Sequence, residues 1–175
     1  MCAKCGAIGA SHNVLEMLSV RNIVTWNALV SAYAQQGRYH EAFDCLERMQ
    51  NEGFFPNALT FTCILGVCGK TIAICKGKRI HERIIDSGLL EKDIMLGNAL
   101  VDMYAKCGAL GKAQQVLEEL PIRDIVSWNI LLARYAQEGR VHGALHCFEQ
   151  IRLEGLSPDV VTFVCTLKAC ASTGA

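Results

Sequence analysis

The sequence predicts an all-α protein, an α-solenoid of stacked antiparallel helix pairs, and three observations lead there. The stretch VTWNALVSAYAQQGR at 24–38 returns as VSWNILLARYAQEGR at 126–140. Sliding the chain over itself by 102 residues aligns 1–73 with 103–175, with 36 identities in 73 positions. Only three prolines interrupt long amphipathic stretches, and 51% hydrophobic against 19% charged residues is the composition of a packed chain. Internal repetition decides the architecture, so it is read before any motif.

The long period divides further. NALVDMYAKCGAL at 98–110 resembles NALVSAYAQQGRY at 27–39, and LTFTCIL at 59–65 holds the matching place in a more divergent copy. Four units result: 23–57 (35 residues), 58–93 (36), 94–124 (31) and 125–159 (35), with a tail at 1–22 matching the end of the 31-residue unit and a head at 160–175 matching the first helix of the 36-residue unit. Each reads as two helices. In 23–57 the first is expected from about Ile23 to Gln36, with Ile23, Trp26, Leu29, Val30 and Tyr33 at helical spacing. Gly37 should end it. The second is expected from about Tyr39 to Gln50 on a stripe of Ala42, Cys45, Leu46 and Met49, and Gly53 and Pro56 close the unit. One hairpin cannot bury its own apolar face, so hairpins must stack.

Seventeen basic residues balance seventeen acidic ones. A protein that grips nucleic acid through phosphates alone would be clearly basic, so recognition of nucleic acid would have to come from local placement and base contacts. No run of 18 apolar residues appears, and no membrane partner is expected. The start, MCAKCGAIGASHN, has neither a signal peptide's apolar core nor a transit peptide's Arg/Ser-rich pattern.

Units of 35, 36 and 31 residues in cyclic order resemble the pentatricopeptide repeats of plant organellar RNA-binding proteins, and the mixed lengths resemble the P-L-S subclass. The stretches that carry the resemblance are IVTWNALVSAYAQQGR (23–38), GKRIHERIIDSG (77–88), GNALVDMYAKCGAL (97–110), RDIVSWN (123–129) and EGLSPDVVTFVCTLKACASTGA (154–175). It covers the whole chain. Tetratricopeptide repeats differ in keeping a fixed 34-residue period and another residue pattern. The resemblance implies a right-handed α-solenoid that reads single-stranded RNA at one base per repeat. It assigns base reading to the fifth and last residues of a repeat and packing against the base to the second.

Carried over on that resemblance, the base-reading pairs are Asn27 with Asn57, Thr62 with Asp93, Asn98 with Asp124, and Asn129 with Asp159. The base-packing residues are Val24, Leu59, Met95 and Val126. The tail contributes only Asn22, and the head only Val161 and Val164. The family's pairings match Asn–Asp to uracil, Asn–Asn to a pyrimidine and Thr–Asp to guanine. The residues themselves fit such chemistry: the second and fifth stand at i and i+3, and Asn offers a donor and an acceptor where ionised Asp only accepts. Asn57, Asp93, Asp124 and Asp159 also stand where helix N-caps belong. Asn27, Asn98 and Asn129 recur as polar residues within apolar stretches, which capping does not explain.

Ten cysteines raise metal and disulfide alternatives. CAKC at Cys2 and Cys5 has zinc-ligand spacing without a second pair at a suitable distance, and at the 102-residue offset Cys2 maps to Tyr104. Cys45/Cys147, Cys63/Cys165 and Cys68/Cys170 recur in register and read as small apolar packing residues in a reducing compartment. HERII at His81 lacks the second His of a zinc-protease motif, since Ile85 stands there. No H-x-E is present for a zinc deaminase. The expectation is therefore no enzyme, no catalytic residue, no metal, no cofactor and no small-molecule substrate. The partners expected are single-stranded RNA and RNA editing or processing factors; a solenoid scaffold for protein–protein interaction is the alternative. The family implies a mitochondrial or plastid location. Met1 aligns with Met103, the tenth residue of its unit, and the last unit holds one helix, so the chain is expected to be a fragment of a longer protein or a partial gene model.

Overall fold

The computed structural model describes residues 22–171, and every regular element among them is helical. In order these are α1 (Ile23–Gln35), α2 (Tyr39–Asn51), α3 (Ala58–Thr71), α4 (Ile74–Ser87), a 3₁₀ turn at Leu89–Glu91, α5 (Ile94–Lys106), α6 (Leu110–Glu119), α7 (Ile125–Gln137), α8 (Val141–Leu153) and α9 (Val160–Ala171). The CAKC cysteines lie outside the described residues. The backbone falls into two compact units, divided between Val67 and Cys68.

In the first unit α1 and α2 form an antiparallel hairpin. Its core is Trp26, Leu29, Val30 and Tyr33 from α1 against Ala42, Cys45, Leu46 and Met49 from α2, all buried. These are the stripes expected from the helical spacing, except that Ile23 is only half-buried. The helices end at Gln35 and Asn51, each one residue from the expected position.

In the second unit α5 pairs with α6 and α7 with α8, while α5, α7 and α9 pack side by side in series. This is the stacking that a lone hairpin requires to cover its apolar face. Trp128, Leu131 and Leu132 of α7 and Leu100, Met103 and Tyr104 of α5 are buried within it. The fold class is thus the all-α solenoid of antiparallel helix pairs. Gly77 and Gly143 let helices approach closely: a Cβ on Gly77 would lie 2.5 Å from the Met103 sulfur, and one on Gly143 2.6 Å from the Tyr135 ring.

The first helices stop in one recurring way. Gly37 and Gly139 take left-handed φ values of 75° and 66°. The following amide then bonds back five residues, Arg38 N–H to the Tyr33 carbonyl and Arg140 N–H to the Tyr135 carbonyl, both at 2.9 Å. This is the Schellman closure, which glycine permits without strain. At the end of α3 the same bond runs from Ala73 N–H to the Cys68 carbonyl at 2.9 Å, but the left-handed residue is Ile72, at φ 53°.

Candidate nucleic-acid interface

The cap positions decide the geometry of the site. Backbone N–H groups in the first turn of a helix have no partner within it, so a side-chain acceptor just before the helix satisfies them. Asn57 Oδ1 accepts from Thr60 N–H at 3.1 Å, Asp93 Oδ1 from Leu96 N–H at 3.0 Å, Asp124 Oδ1 from Ser127 N–H at 2.8 Å, and Asp159 Oδ1 from Thr162 N–H at 2.8 Å. All four last residues are N-caps, and Asn22 caps α1 through Thr25 in the same way. Where the third helical residue carries a hydroxyl, it returns the favour: Asn57, Asp124 and Asp159 donate their backbone N–H to Thr60, Ser127 and Thr162 at 3.2 Å each. These are capping boxes built on Thr or Ser.

The caps also reach the helix of the preceding hairpin. Asn27 donates from Nδ2 to Asn57 Oδ1 at 3.1 Å, and its own Oδ1 accepts from the Thr60 hydroxyl at 2.5 Å. Asn129 repeats this in the second unit, with 3.0 Å to Asp159 Oδ1 and 2.8 Å from the Thr162 hydroxyl. Fifth and last residues of a repeat are therefore hydrogen-bonded to one another in these two cases. Asn98 departs from the pattern, because its Oδ1 accepts from the Ser127 hydroxyl at 2.6 Å while its side chain has no bond to Asp124. Thr62 is half-buried on α3.

Second and fifth residues were expected on one face, yet their exposures differ. Val24, Leu59, Met95 and Val126 are 69%, 57%, 70% and 51% exposed, whereas Asn27 and Asn129 are 5% and 8% exposed. The buried amides lie under the caps and are spent partly on them, so the outer polar edge of each pair belongs to the last residue. Asp159 keeps Oδ2 clear of these bonds and is exposed; the bond from Thr162 N–H, then those from its hydroxyl and from Asn129, holds its carboxyl below the ordinary range.

Two contacts outside these positions brace the α7–α8 hairpin. Trp128 donates Nε1 to Glu154 Oε2 at 2.8 Å, and Arg123 donates Nε to Glu154 Oε1 at 2.8 Å. Both residues lay inside RDIVSWN, but nothing in the spacing marked Glu154 as their shared acceptor.

With the geometry in view, the sequence model of the PPR repeat family matches residues 21–70 and 123–172, and a single PPR repeat matches 98–125. The chain belongs to the PPR repeat family. A pentatricopeptide repeat-containing protein of Arabidopsis thaliana is 40% identical over 88% of the chain, which covers 22% of that relative. A second from the same plant, named chloroplastic, is 36% identical over 99% of the chain and 28% of its own length. A third, named mitochondrial, is 37% identical over 97% of the chain and 16% of its own length. The chain thus spans well under a third of these relatives.

Among solved structures, the pentatricopeptide repeat protein PPR10 in complex with an 18-nt psaJ RNA element superposes with a TM-score of 0.79 at 20% identity, over 94% of the chain and 25% of PPR10. The nuclear proteinaceous RNase P 2 of A. thaliana superposes at 0.68 and 16% identity, over 86% of the chain and 35% of that protein. These likenesses establish the solenoid fold.

Among the described residues no three His, Cys, Asp or Glu side chains gather as a metal site, and no helix is long and apolar enough to cross a membrane. Cys45, Cys68 and Cys147 are buried, and burial pushes their thiols up to about 11, about 11 and about 12. Such thiols are almost wholly protonated and poor nucleophiles. The Cys45/Cys147 pair packs in register in the core, but the expectation fails for the others: Cys68 is buried while its counterpart Cys170 is exposed, and Cys63 and Cys165 are only half-buried.

Proposed function

We propose that this chain is a sequence-selective single-stranded RNA-binding module that reads one base per repeat and supplies an address without catalysis. The observation that carries the reading is the recurrence, in both compact units, of an Asn joined to an Asn or Asp cap, with an exposed apolar residue three positions before that Asn. Each such set offers a flat apolar contact for the face of a base and a short polar edge for its hydrogen-bonding rim. Bases in single strands are read in this combination, by packing on the ring and bonding to the Watson–Crick edge.

The bonds already made determine what each pair has left to offer. In Asn129–Asp159, Oδ1 of the cap takes the internal bonds and Oδ2 remains an acceptor, complementary to the N3–H of uracil. In Asn27–Asn57 the cap's Oδ1 is likewise occupied and its Nδ2 remains a donor, complementary to the bare N3 of cytosine. With the family's pairings and its N-to-C along 5′-to-3′ polarity, residues 23–159 should prefer a pyrimidine inclined to cytosine, then guanine, uracil and uracil. Lys and Arg dispersed over the helices would meet phosphates, which suits a chain of zero net charge.

The alternating 35-, 36- and 31-residue units support the P-L-S subclass, and relatives named chloroplastic and mitochondrial support an organellar place of action. There the module would specify sites for RNA editing or processing and recruit partners for the reaction. Gel-shift titrations at fixed salt test this, with single-stranded RNAs in which each of the four bases is varied singly. Position-by-position preferences are expected. Binding without any base preference, or no binding to RNA at all, would favour the protein-scaffold alternative.

A further inference from the structure

We infer that the hydroxyls of Thr60, Ser127 and Thr162 are positioning residues for base recognition: each locks the side-chain amide of the preceding repeat's fifth residue in a single orientation. The inference rests on the RNA-binding reading above. All three residues are fully buried, so none can touch a base. Each hydroxyl accepts from the cap's backbone N–H, lies 2.9 to 3.0 Å from the cap's own Oδ1, and donates over the shorter distance of 2.5 to 2.8 Å to Oδ1 of Asn27, Asn98 or Asn129. The same arrangement forms independently in the two compact units.

The orientation follows from donor and acceptor chemistry. Asn129 faces the Asp159 carboxylate, which only accepts, so its Nδ2 must lie on that side and its Oδ1 on the side of Thr162. An amide turned over would set its oxygen against the Asp159 carboxylate, acceptor against acceptor, and would lose both of its bonds. At Asn98 the cap gives no such help, because Asp124 does not bond to it. Ser127 is the one side-chain partner of the Asn98 amide among the described residues. The hydroxyl thus commits Oδ1 inward and leaves the N–H groups of Nδ2 as what Asn98 can present to RNA. A freely turning amide would present a donor or an acceptor equally well and would discriminate poorly between bases with opposite edges. The helix capped by Asp93 has Leu96 at the corresponding position, and so lacks the device.

The test uses the chain with Ser127→Ala and Ser127→Thr, in gel shifts at fixed salt against single-stranded RNAs varied at the base read by Asn98. Thr25→Ala serves as control, since it removes an equivalent capping box at Asn22 without touching a fifth-residue amide of this chain. Ser127→Ala should lower the preference at that one base by about fivefold, the worth of one net hydrogen bond, and leave the other positions unchanged. Ser127→Thr should restore it. An unaltered preference, or equal weakening at every position as Thr25→Ala would give, overturns the inference. Thr162→Val poses the same question at Asn129, so a folding failure of one variant does not close the matter. Wild-type chain that shows no base preference refutes the RNA-reading function itself, whereas a wild-type preference indifferent to both hydroxyls refutes only their role.

Discussion

Asn129 and Asp159 stand 30 residues apart and share a 3.0 Å hydrogen bond from Nδ2 to Oδ1. The bond ties α7 to the cap of α9, so a residue that starts one helix also orients a side chain on another. Capping and base reading are consequently not rival accounts of Asp159. One carboxylate oxygen does the first, and the other is free of these bonds and is the one the proposed reading assigns to the second.

Asp159→Ser separates the two roles. Serine caps helices about as well as aspartate, so thermal unfolding should move little. The second acceptor disappears with the carboxylate, and the last base preference should shift from uracil toward cytosine. A single base contact of this kind is worth about 1–3 kcal/mol, by analogy with direct readout elsewhere. Gel shifts with that base varied measure it, and equal weakening for all bases would reduce Asp159 to a cap.

The fold was legible because helical spacing and punctuation agree: Trp26, Leu29, Val30 and Tyr33 fall on one stripe, and Gly37 follows at a left-handed φ of 75°. Asn27 and Asn129 were also legible, as polar residues where apolar ones would serve packing. The hydroxyls of Thr60, Ser127 and Thr162 were not. A Thr or Ser at the third helical position looks like an ordinary member of a first turn, and its second bond depends on stacking between hairpins. The bonds of Trp128 and Arg123 to Glu154 were not legible either, because they form only once α8 folds back against α7.

Ile72 is where the repeat punctuation fails. It occupies the left-handed position that Gly37 and Gly139 fill in other repeats, with a β-branched side chain that disfavours φ of 53°. Its side chain is 66% exposed, so little burial offsets the strain. Ile72→Gly should stabilise the chain by about 1 kcal/mol, visible as a higher denaturation midpoint with an unchanged slope. A loss of stability would mean that the exposed isoleucine has an apolar partner.

His81 offers a pH dependence. It is buried on α4, its Nδ1 lies 3.0 Å from the Tyr104 hydroxyl, and burial lowers its pKa, reinforced by Lys112 and opposed by Glu119 and Glu82. A base with a depressed folded pKa contributes stability above its unfolded value, near 6.5, that is lost as pH falls through the folded value. Denaturant midpoints should therefore decline as pH drops below about 6.5. His81→Gln keeps a polar group beside Tyr104 and should flatten that part of the profile. A histidine variant with the same decline would place the sensitivity in the carboxylates.

Asn57 provides the reciprocal of the change at Asp159. Its Oδ1 is occupied by Thr60 N–H at 3.1 Å and by Asn27 Nδ2 at 3.1 Å, which turns its own Nδ2 outward as a donor. Asn57→Asp keeps the cap and both internal bonds, since either oxygen of a carboxylate can accept them. The outward group becomes an acceptor. The first preference should then turn from a pyrimidine inclined to cytosine into a uracil preference like that of Asn129–Asp159, with a change of about 1–3 kcal/mol between the two pyrimidines. The added negative charge should weaken binding to every RNA by a common factor through phosphate repulsion, so the ratio of uracil to cytosine affinities is the decisive quantity. Measuring that ratio at two salt concentrations separates the parts, because phosphate repulsion fades with screening and base-edge complementarity does not. A ratio that stays at the wild-type value while overall affinity falls would show that Asn57 meets RNA only as charge and shape.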